Sequence, residues 1–417
     1  MRSPIPTFEV RGSVSSGELS VEADEWIRLA FLDFLGLLVA GDGAIRRGVG
    51  QLATHHPIED ARLGGHVEHA LAQAQRAFHY ARSANVLDGD DGNNFAGAAH
   101  VGSSVFGALL ASSTPETPYA SIRAAAVAGY EVGIRAGAQY AASVRPPAYV
   151  SSGAAATLAA TAAVAQLRGI DTARALNIAA ARAPFSALTD VGQRESVGWA
   201  AFTAVLAAAS VADSNDDASG LFVAPALDIS GSLLLSSYRK PYLACRATHS
   251  ALDAVRQLRD SHAFDLATIT SIVVETTTFG SGLTDAAPTS IDGAVFSFPI
   301  CIALALLYDG PRAADWLGER FLEGRVRALA ARVTPVHSDW ADSYSPGSYP
   351  ARVTIVAGGE FTAEIIVPRG DPTLPLSAED LAFKAREGYA AVPVDAVLRG
   401  EGSMGELVPY LFSADPH

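Results

Sequence analysis

The sequence predicts a mainly α protein, with a large all-helical domain plus a smaller α+β domain. Three observations predict it. Long alanine-rich segments with apolar residues at helical spacing fill the first half and more of the chain. β-branched runs and a Gly-Gly hairpin signal begin only after that. A length of 417 residues, 49% of them hydrophobic, suffices for two domains and a large core. The expected division is residues 1–245 for the helical domain and 246–375 for the α+β domain. Residues 376–417 return to complete the first.

Residues 19–41 read as the first helix. Trp26, Ile27, Ala30, Phe31, Phe34, Leu37 and Leu38 share one stripe, and Gly41 reads as the stop. A second, alanine-rich helix covers 67–86. The stretch "NVLDGDDGNNFAGAAH", residues 85–100, follows as a loop broken by Gly89, Gly92 and two asparagines. Helical patterns then resume in "VGSSVFGALLAS", "YASIRAAAVAGYEVGIRAGAQYAASV", "SSGAAATLAATAAVAQLRG", "DTARALNIAAARA" and "ESVGWAAFTAVLAAASVADS". So much alanine implies helices packed closely with thin side-chain layers. Beyond that, "ITSIVVETTT" reads as a strand. "PARVTIVAGG" and "EFTAEIIVPRG" read as a hairpin joined at Gly358-Gly359. "AVFSFPICIALALLYDG" and "DWLGERFLEGRVRALAARV" between them read as helices. "SAEDLAFKAREGYAA" opens with a Ser N-cap and acidic residues in its first turn.

A formal charge of −14 argues against nucleic acid or an anionic membrane as partner and leaves a small molecule. The longest apolar run, "LAFLDFLGLLVAG", is too short to span a bilayer and contains Asp33. The opening "MRSPIPTFEVRGSVSSGELS" has no apolar signal core. Cys245 and Cys301 make neither a disulfide framework nor a zinc cluster. The expectation is a cytoplasmic protein. G-K-[ST], G-x-S-x-G and H-E-x-x-H are missing, so nucleotide hydrolysis, α/β-hydrolase chemistry and zincin chemistry lose their signatures. "GDGAIRRG" puts Arg46 where a dinucleotide fingerprint needs its third glycine. "DGDDGN", counted as a calcium loop from Asp88, puts Asn93 and Ala99 where Gly and Glu belong. A metal held by the aspartates stays open as the lesser alternative.

Two clusters could carry chemistry. The first is Asp88, Asp90, Asp91 and His100. A carboxylate beside an imidazole fixes its tautomer and raises its basicity, as proton transfer requires. Aspartates capping the next helix, or facing water, are the bland alternative. The second is "YRKPYLACRATHSALDA", where Lys240, Arg246 and His249 stand near Tyr242 and Cys245 at the change of texture. Domain junctions favour ligand sites. The chain holds only two lysines, Lys240 and Lys384. A lysine here could bind a substrate carboxylate or neutralise an enolate. The alternatives are a solvated basic linker and, for Cys245, a small buried hydrophobe.

Together the clusters resemble the MmgE/PrpD family, which includes 2-methylcitrate dehydratase, cis-aconitate decarboxylase and iminodisuccinate epimerase. The resemblance runs along nearly the whole chain. "LAFLDFLGLLVAG" is similar to the family's first-helix D-x-x-G…A-G pattern, and "LDGDDGNNFAGAAHVG" to its D-F-[DN]-D…H-P-[SG] loop. "RKPYLACRATHSALDA" resembles its K-P-Y-x-x-C…H…D-A segment, and "VPRGDPTLPLSAEDLAFK" its G-D-P-x-x-P-L segment. The resemblance implies that the α+β domain is a lid, that the protein is a homodimer, and that its chemistry is cofactor-free proton transfer beside a substrate carboxylate. Asp88, His100 and Lys240 match the acidic, imidazole and lysine positions and are the expected catalytic residues. Asp91, Tyr149, Gln193, Arg194, Cys245 and His249 are the expected substrate-binding residues.

Four positions depart from the family pattern. A threonine is replaced by Gly92, a histidine falls at Val150 (Arg145 and Tyr149 are near), a second lysine falls at Gln193 beside Arg194, and a tyrosine falls at Ile300. Each lost group could bond a carboxylate, at roughly 1.5–3 kcal/mol if charged. The expected substrate is therefore less polar than a tricarboxylate. The expected function is a lyase of dehydratase or decarboxylase type, working by proton transfer α to a carboxylate or carbonyl of a small organic acid or secondary-metabolite intermediate. An epimerase or isomerase using the same abstraction is the alternative, and a non-catalytic binding protein a further one.

Overall fold

Alanine sets the architecture of the first half. The computed structural model describes residues 19–46, 65–94, 96–97, 99–143, 151–183, 196–213, 233–345, 347–388 and 392–409. Seven helices come first: α1 (Val21–Arg46), α2 (Gly65–Asn85), α3 (Val101–Ser112), α4 (Tyr119–Ser143), α5 (Ser151–Arg168), α6 (Thr172–Ala180) and α7 (Ser196–Asp213). α5 lies among α3, α4, α6 and α7. Ala155, Ala156, Ala159, Ala162 and Ala163 of α5 are buried, so over much of its surface only methyl groups separate it from its neighbours.

Gly41 was expected to end α1, yet the helix continues through it to Arg46. The reason is close approach. A Cβ on Gly41 would stand 1.7 Å from the carbonyl oxygen of Ser83 on α2. The glycine lets two backbones touch and does not stop the helix.

The second half is built on a four-stranded mixed sheet. α8 (His249–Ser261) leads into β1 (Ile269–Thr276). Single turns α9 (Thr278–Ser281) and α10 (Ile291–Ala294) precede α11 (Phe298–Tyr308), α12 (Ala313–Leu317) and α13 (Gly324–Ala330). β2 (Val333–His337), α14 (Asp339–Asp342), β3 (Ala351–Ala357) and β4 (Glu360–Ile365) follow. The strand order is β2-β1-β3-β4. β1 runs parallel to β2 and antiparallel to β3, with Val274 opposite both Pro335 and Val353. β3 and β4 form the expected hairpin, and Gly358 takes the φ of +68° that its turn needs. The strand β2 was not expected. Its Pro335 cannot donate to a ladder, which the sheet tolerates because β2 lies at the edge. α11 is apolar on every side and packs against both α8 and α13, as a central helix must.

The chain then returns through α15 (Ala378–Gly388), α16 (Val394–Arg399) and α17 (Met404–Leu407). Ser377 caps α15: Asp380 N–H donates to Ser377 Oγ at 3.1 Å, and Ser377 N–H to Asp380 Oδ2 at 3.0 Å. Both α15 and α16 pack on α1. No described helix is long and apolar enough to cross a membrane.

Candidate active site

The loop between α2 and α3 is polar in sequence and buried in space. Asp88, Asp90, Asp91 and Asn93 are all shielded from solvent. The bland reading of a solvated acidic loop therefore fails. Buried carboxylates need partners, and each has one.

Asp88 sits in the left-handed region at φ 53°. Lys240, fully buried, donates from Nζ to the Asp88 carbonyl at 2.9 Å and to its Oδ1 at 2.8 Å. Asp90 accepts from Asn85 Nδ2 at 3.0 Å and from Ser103 Oγ at 2.7 Å. Asp91 turns its carboxyl toward the core between α3 and α4, where the Tyr130 hydroxyl donates to it. Burial pushes the Asp91 pKa up to about 7; the Tyr130 hydrogen bond opposes that and the Asp90 charge adds to it. Lys384, from α15, donates to the Gly89 carbonyl at 2.7 Å and stands 2.7 Å from Asp33 of α1. Buried Arg239 bonds the Trp26 carbonyl at 2.8 Å and lies over the Trp26 ring at 4.2 Å.

His100 ends the loop, just before α3. Its Nδ1 lies 2.8 Å from the Asp91 carbonyl and 3.4 Å from Asp90 Oδ1. A carbonyl oxygen only accepts, so Nδ1 holds the hydrogen and Nε2 keeps its lone pair. No described residue bonds Nε2. The side chain is 18% exposed. Burial lowers its pKa below the ordinary histidine value, Asp90 opposing and Lys240 reinforcing the shift. The ring is thus held neutral, with a free basic nitrogen. Asp88, expected to act with His100, does not orient it. Asp90 and the Asp91 carbonyl do so instead, because Asp88 is turned to Lys240.

Asp88, Asp90 and His100 each offer a ligand atom within 4.8 Å of the others. A cation there would face the Lys240 ammonium already seated on Asp88, which disfavours it electrostatically.

The second cluster borders this loop. Tyr238 and Gly92 pair through two backbone hydrogen bonds of 2.9 and 3.2 Å, and Arg239 N–H donates to Gly370 at 2.8 Å. Residues 238–240 thus run between the loop and the Gly370 turn. A Cβ on Gly92 would stand 2.3 Å from the Tyr238 hydroxyl oxygen, so that hydroxyl fills the volume a side chain at 92 would take. Arg246 donates to the Arg369 carbonyl at 3.1 Å, and its guanidinium lies 4.5 Å from the Tyr238 ring centroid. The cluster is buried, so it is no solvated linker.

His249 opens α8 fully buried. Its Nε2 lies 3.0 Å from the Ala244 carbonyl, its ring meets Tyr242 edge-on at 5.4 Å, and burial holds its pKa far down. Cys245 is a buried thiol outside any disulfide. Ile300 is fully buried at the start of α11, whose Ser297 cap bonds its N–H at 3.0 Å. Tyr149, Val150, Gln193 and Arg194 lie outside the described residues. Tyr238 was missed in the sequence. Its signal was the spacing: in extended backbone, residues 238 and 240 share a side.

Residues 242–396 match the MmgE/PrpD C-terminal domain, a stretch holding the whole sheet and the helices α8 to α15. No curated protein matches the chain.

Proposed function

We propose, from the premise that this chain belongs to the MmgE/PrpD family through its C-terminal domain at residues 242–396, that it is a cofactor-independent lyase acting on a small organic acid. The family includes dehydratases and other lyases. The observation that carries the reading is the state of His100. Its Nδ1–H is committed to the Asp91 carbonyl, which leaves Nε2 as the basic nitrogen of a partly exposed side chain.

In this reading Nε2 takes a proton from the carbon α to a carboxylate or carbonyl. The C–H electron pair moves into an enolate, whose charge rests on oxygen. A β-hydroxyl then leaves as water, taking the proton back from the imidazolium. In the decarboxylating variant CO2 leaves first, the electron pair of the broken C–C bond moves into the enolate, and the carbon is protonated by His100 after its Nε2 has taken up a proton from solvent. Asp90 stabilises the imidazolium from 3.4 Å. Asp88 and Lys240 hold the loop; an ammonium has three N–H groups, two of them used on Asp88, and the third is available to the enolate oxygen. An isomerase would use the same abstraction and return the proton without a leaving group. The reading further takes residues 246–375 as a lid on the helical domain, in a cytoplasmic homodimer.

Proton NMR in D2O tests it, with a panel of hydroxy-, unsaturated and amino-carboxylates and His100→Ala as control. The expected result is deuterium at an α-carbon, lost in the variant, together with release of water or CO2. Exchange with scrambled stereochemistry and no loss of a group selects the isomerase. Exchange unaffected by His100→Ala removes the assigned base. No exchange across the panel favours a non-catalytic binding protein.

A further inference from the structure

Tyr238 and Arg246, stacked on each other, each keep an uncommitted buried donor. Tyr238 is 1% exposed, and its hydroxyl has no hydrogen-bond partner among the described residues. Arg246 is 5% exposed, and its Nη2 likewise has none. The Asp371 carboxylate stands 3.7 Å from Nη2, beyond hydrogen-bond range. Unmade hydrogen bonds in a buried site cost free energy, so they call for an explanation. A ligand that supplies the acceptor is one.

Charge says which ligand. Lys240 is matched by Asp88, and Lys384 by Asp33. The Arg246 guanidinium has its carboxylate at a longer distance and keeps an unbonded N–H. It is pre-oriented by its stack on the Tyr238 ring. A phenol O–H beside a guanidinium N–H complements the two oxygens of a carboxylate. Position agrees as well. Tyr238 is fastened to Gly92, and the residue before Gly92 is the one whose carbonyl holds His100.

We propose that Tyr238 Oη and Arg246 Nη2 form the subsite for the substrate's carboxylate. This rests on the reading of His100 as the base acting on the same molecule. Lys240 then serves the loop and the developing enolate, and the anionic end of the substrate is held from segment 238–246.

Malonate is the probe, malonamide its neutral control, and thermal unfolding of the full chain the readout, since a ligand bound to the native state raises Tm by mass action. Tyr238→Phe keeps the ring on Arg246 and removes only the O–H. Arg246→Gln removes the charge. The expected result is stabilisation of the wild type and of His100→Ala by malonate and not by malonamide. Affinity should fall about 10-fold or more in Tyr238→Phe, and at least as far in Arg246→Gln. Equal malonate affinity in wild type and Tyr238→Phe overturns the subsite, as does a wild type that malonate does not stabilise. Should Tyr238→Phe not fold, as read by circular dichroism, Arg246→Gln decides by the same comparison. Failure of deuterium exchange alongside Tyr238-dependent malonate binding removes the lyase reading and leaves the subsite standing. The reverse pattern removes the subsite alone.

Discussion

Lys240 and Lys384 donate to consecutive carbonyls, those of Asp88 at 2.9 Å and Gly89 at 2.7 Å. They are the only lysines in the chain. Each also faces a buried aspartate, Asp88 or Asp33, at 2.8 and 2.7 Å. The backbone of one turn is thereby pinned from two sides. Asp88 holds a left-handed conformation that L-residues rarely adopt, and the Lys240 bonds to both its carbonyl and its carboxylate keep it there.

Lys240→Met should leave Asp88 as an uncompensated buried charge. Removing one partner of such a pair costs about 3–5 kcal/mol. Urea unfolding should show a loss of that order for Lys240→Met, and a comparable one for Lys384→Met at Asp33. A change under about 1 kcal/mol would mean that the pair contributes little.

Asp91 should make the protein less stable as pH rises. Its folded pKa, about 7, lies above the unfolded value of about 3.9. The folded state binds the proton more tightly, so this contribution is full below about pH 4 and is lost as pH climbs through about 7. The span is at most about 4 kcal/mol. Asp91→Asn cannot titrate. The stability difference between wild type and variant, measured by urea at about pH 5 and about pH 8, should shift toward the variant at the higher pH. Other titrating groups largely cancel in that difference.

His100 should set the acid limb of activity. Its lowered pKa keeps it neutral to more acid pH than an ordinary histidine. The rate of α-deuterium exchange should therefore stay level down through about pH 6.5 and fall only below it. An acid limb above that value would assign the base elsewhere.

Gly41→Ala should destabilise, although alanine is the better helix former by about 1 kcal/mol. The new Cβ would lie 1.7 Å from the Ser83 carbonyl, so α1 and α2 must part. Overpacking of this kind costs about 1–3 kcal/mol or more. A rise in Tm would show that the helices separate freely.

Much of the fold was legible because periodicity reports which face of an element is buried. The stripe from Trp26 to Leu38 and the β-branched run at 269–276 are of that kind. What was not legible depends on distance between elements. Gly41 looked like a stop because nothing in the sequence brings Ser83 beside it. β2 was hidden by Pro335, which an edge position excuses. In the site, Asp88, His100 and Lys240 stood out by residue type. Which carboxylate meets the imidazole did not, since a turn at Asp88 redirects it toward Lys240. Tyr238 was overlooked beside the rarer lysine, although its spacing places it on the same side as Lys240; the packing of its hydroxyl against Gly92 marks it in the structure.

The pin from Lys384 to Gly89 has a consequence for biosynthesis. The two residues are 295 positions apart. A ribosome releases the loop long before it releases α15, and domains fold as they emerge. The buried carbonyl of Gly89 and the carboxylate of Asp33 therefore wait for their lysine until α15 emerges. The loop that carries His100 thus gains this pin only after α8 to α14 and all four strands have been made.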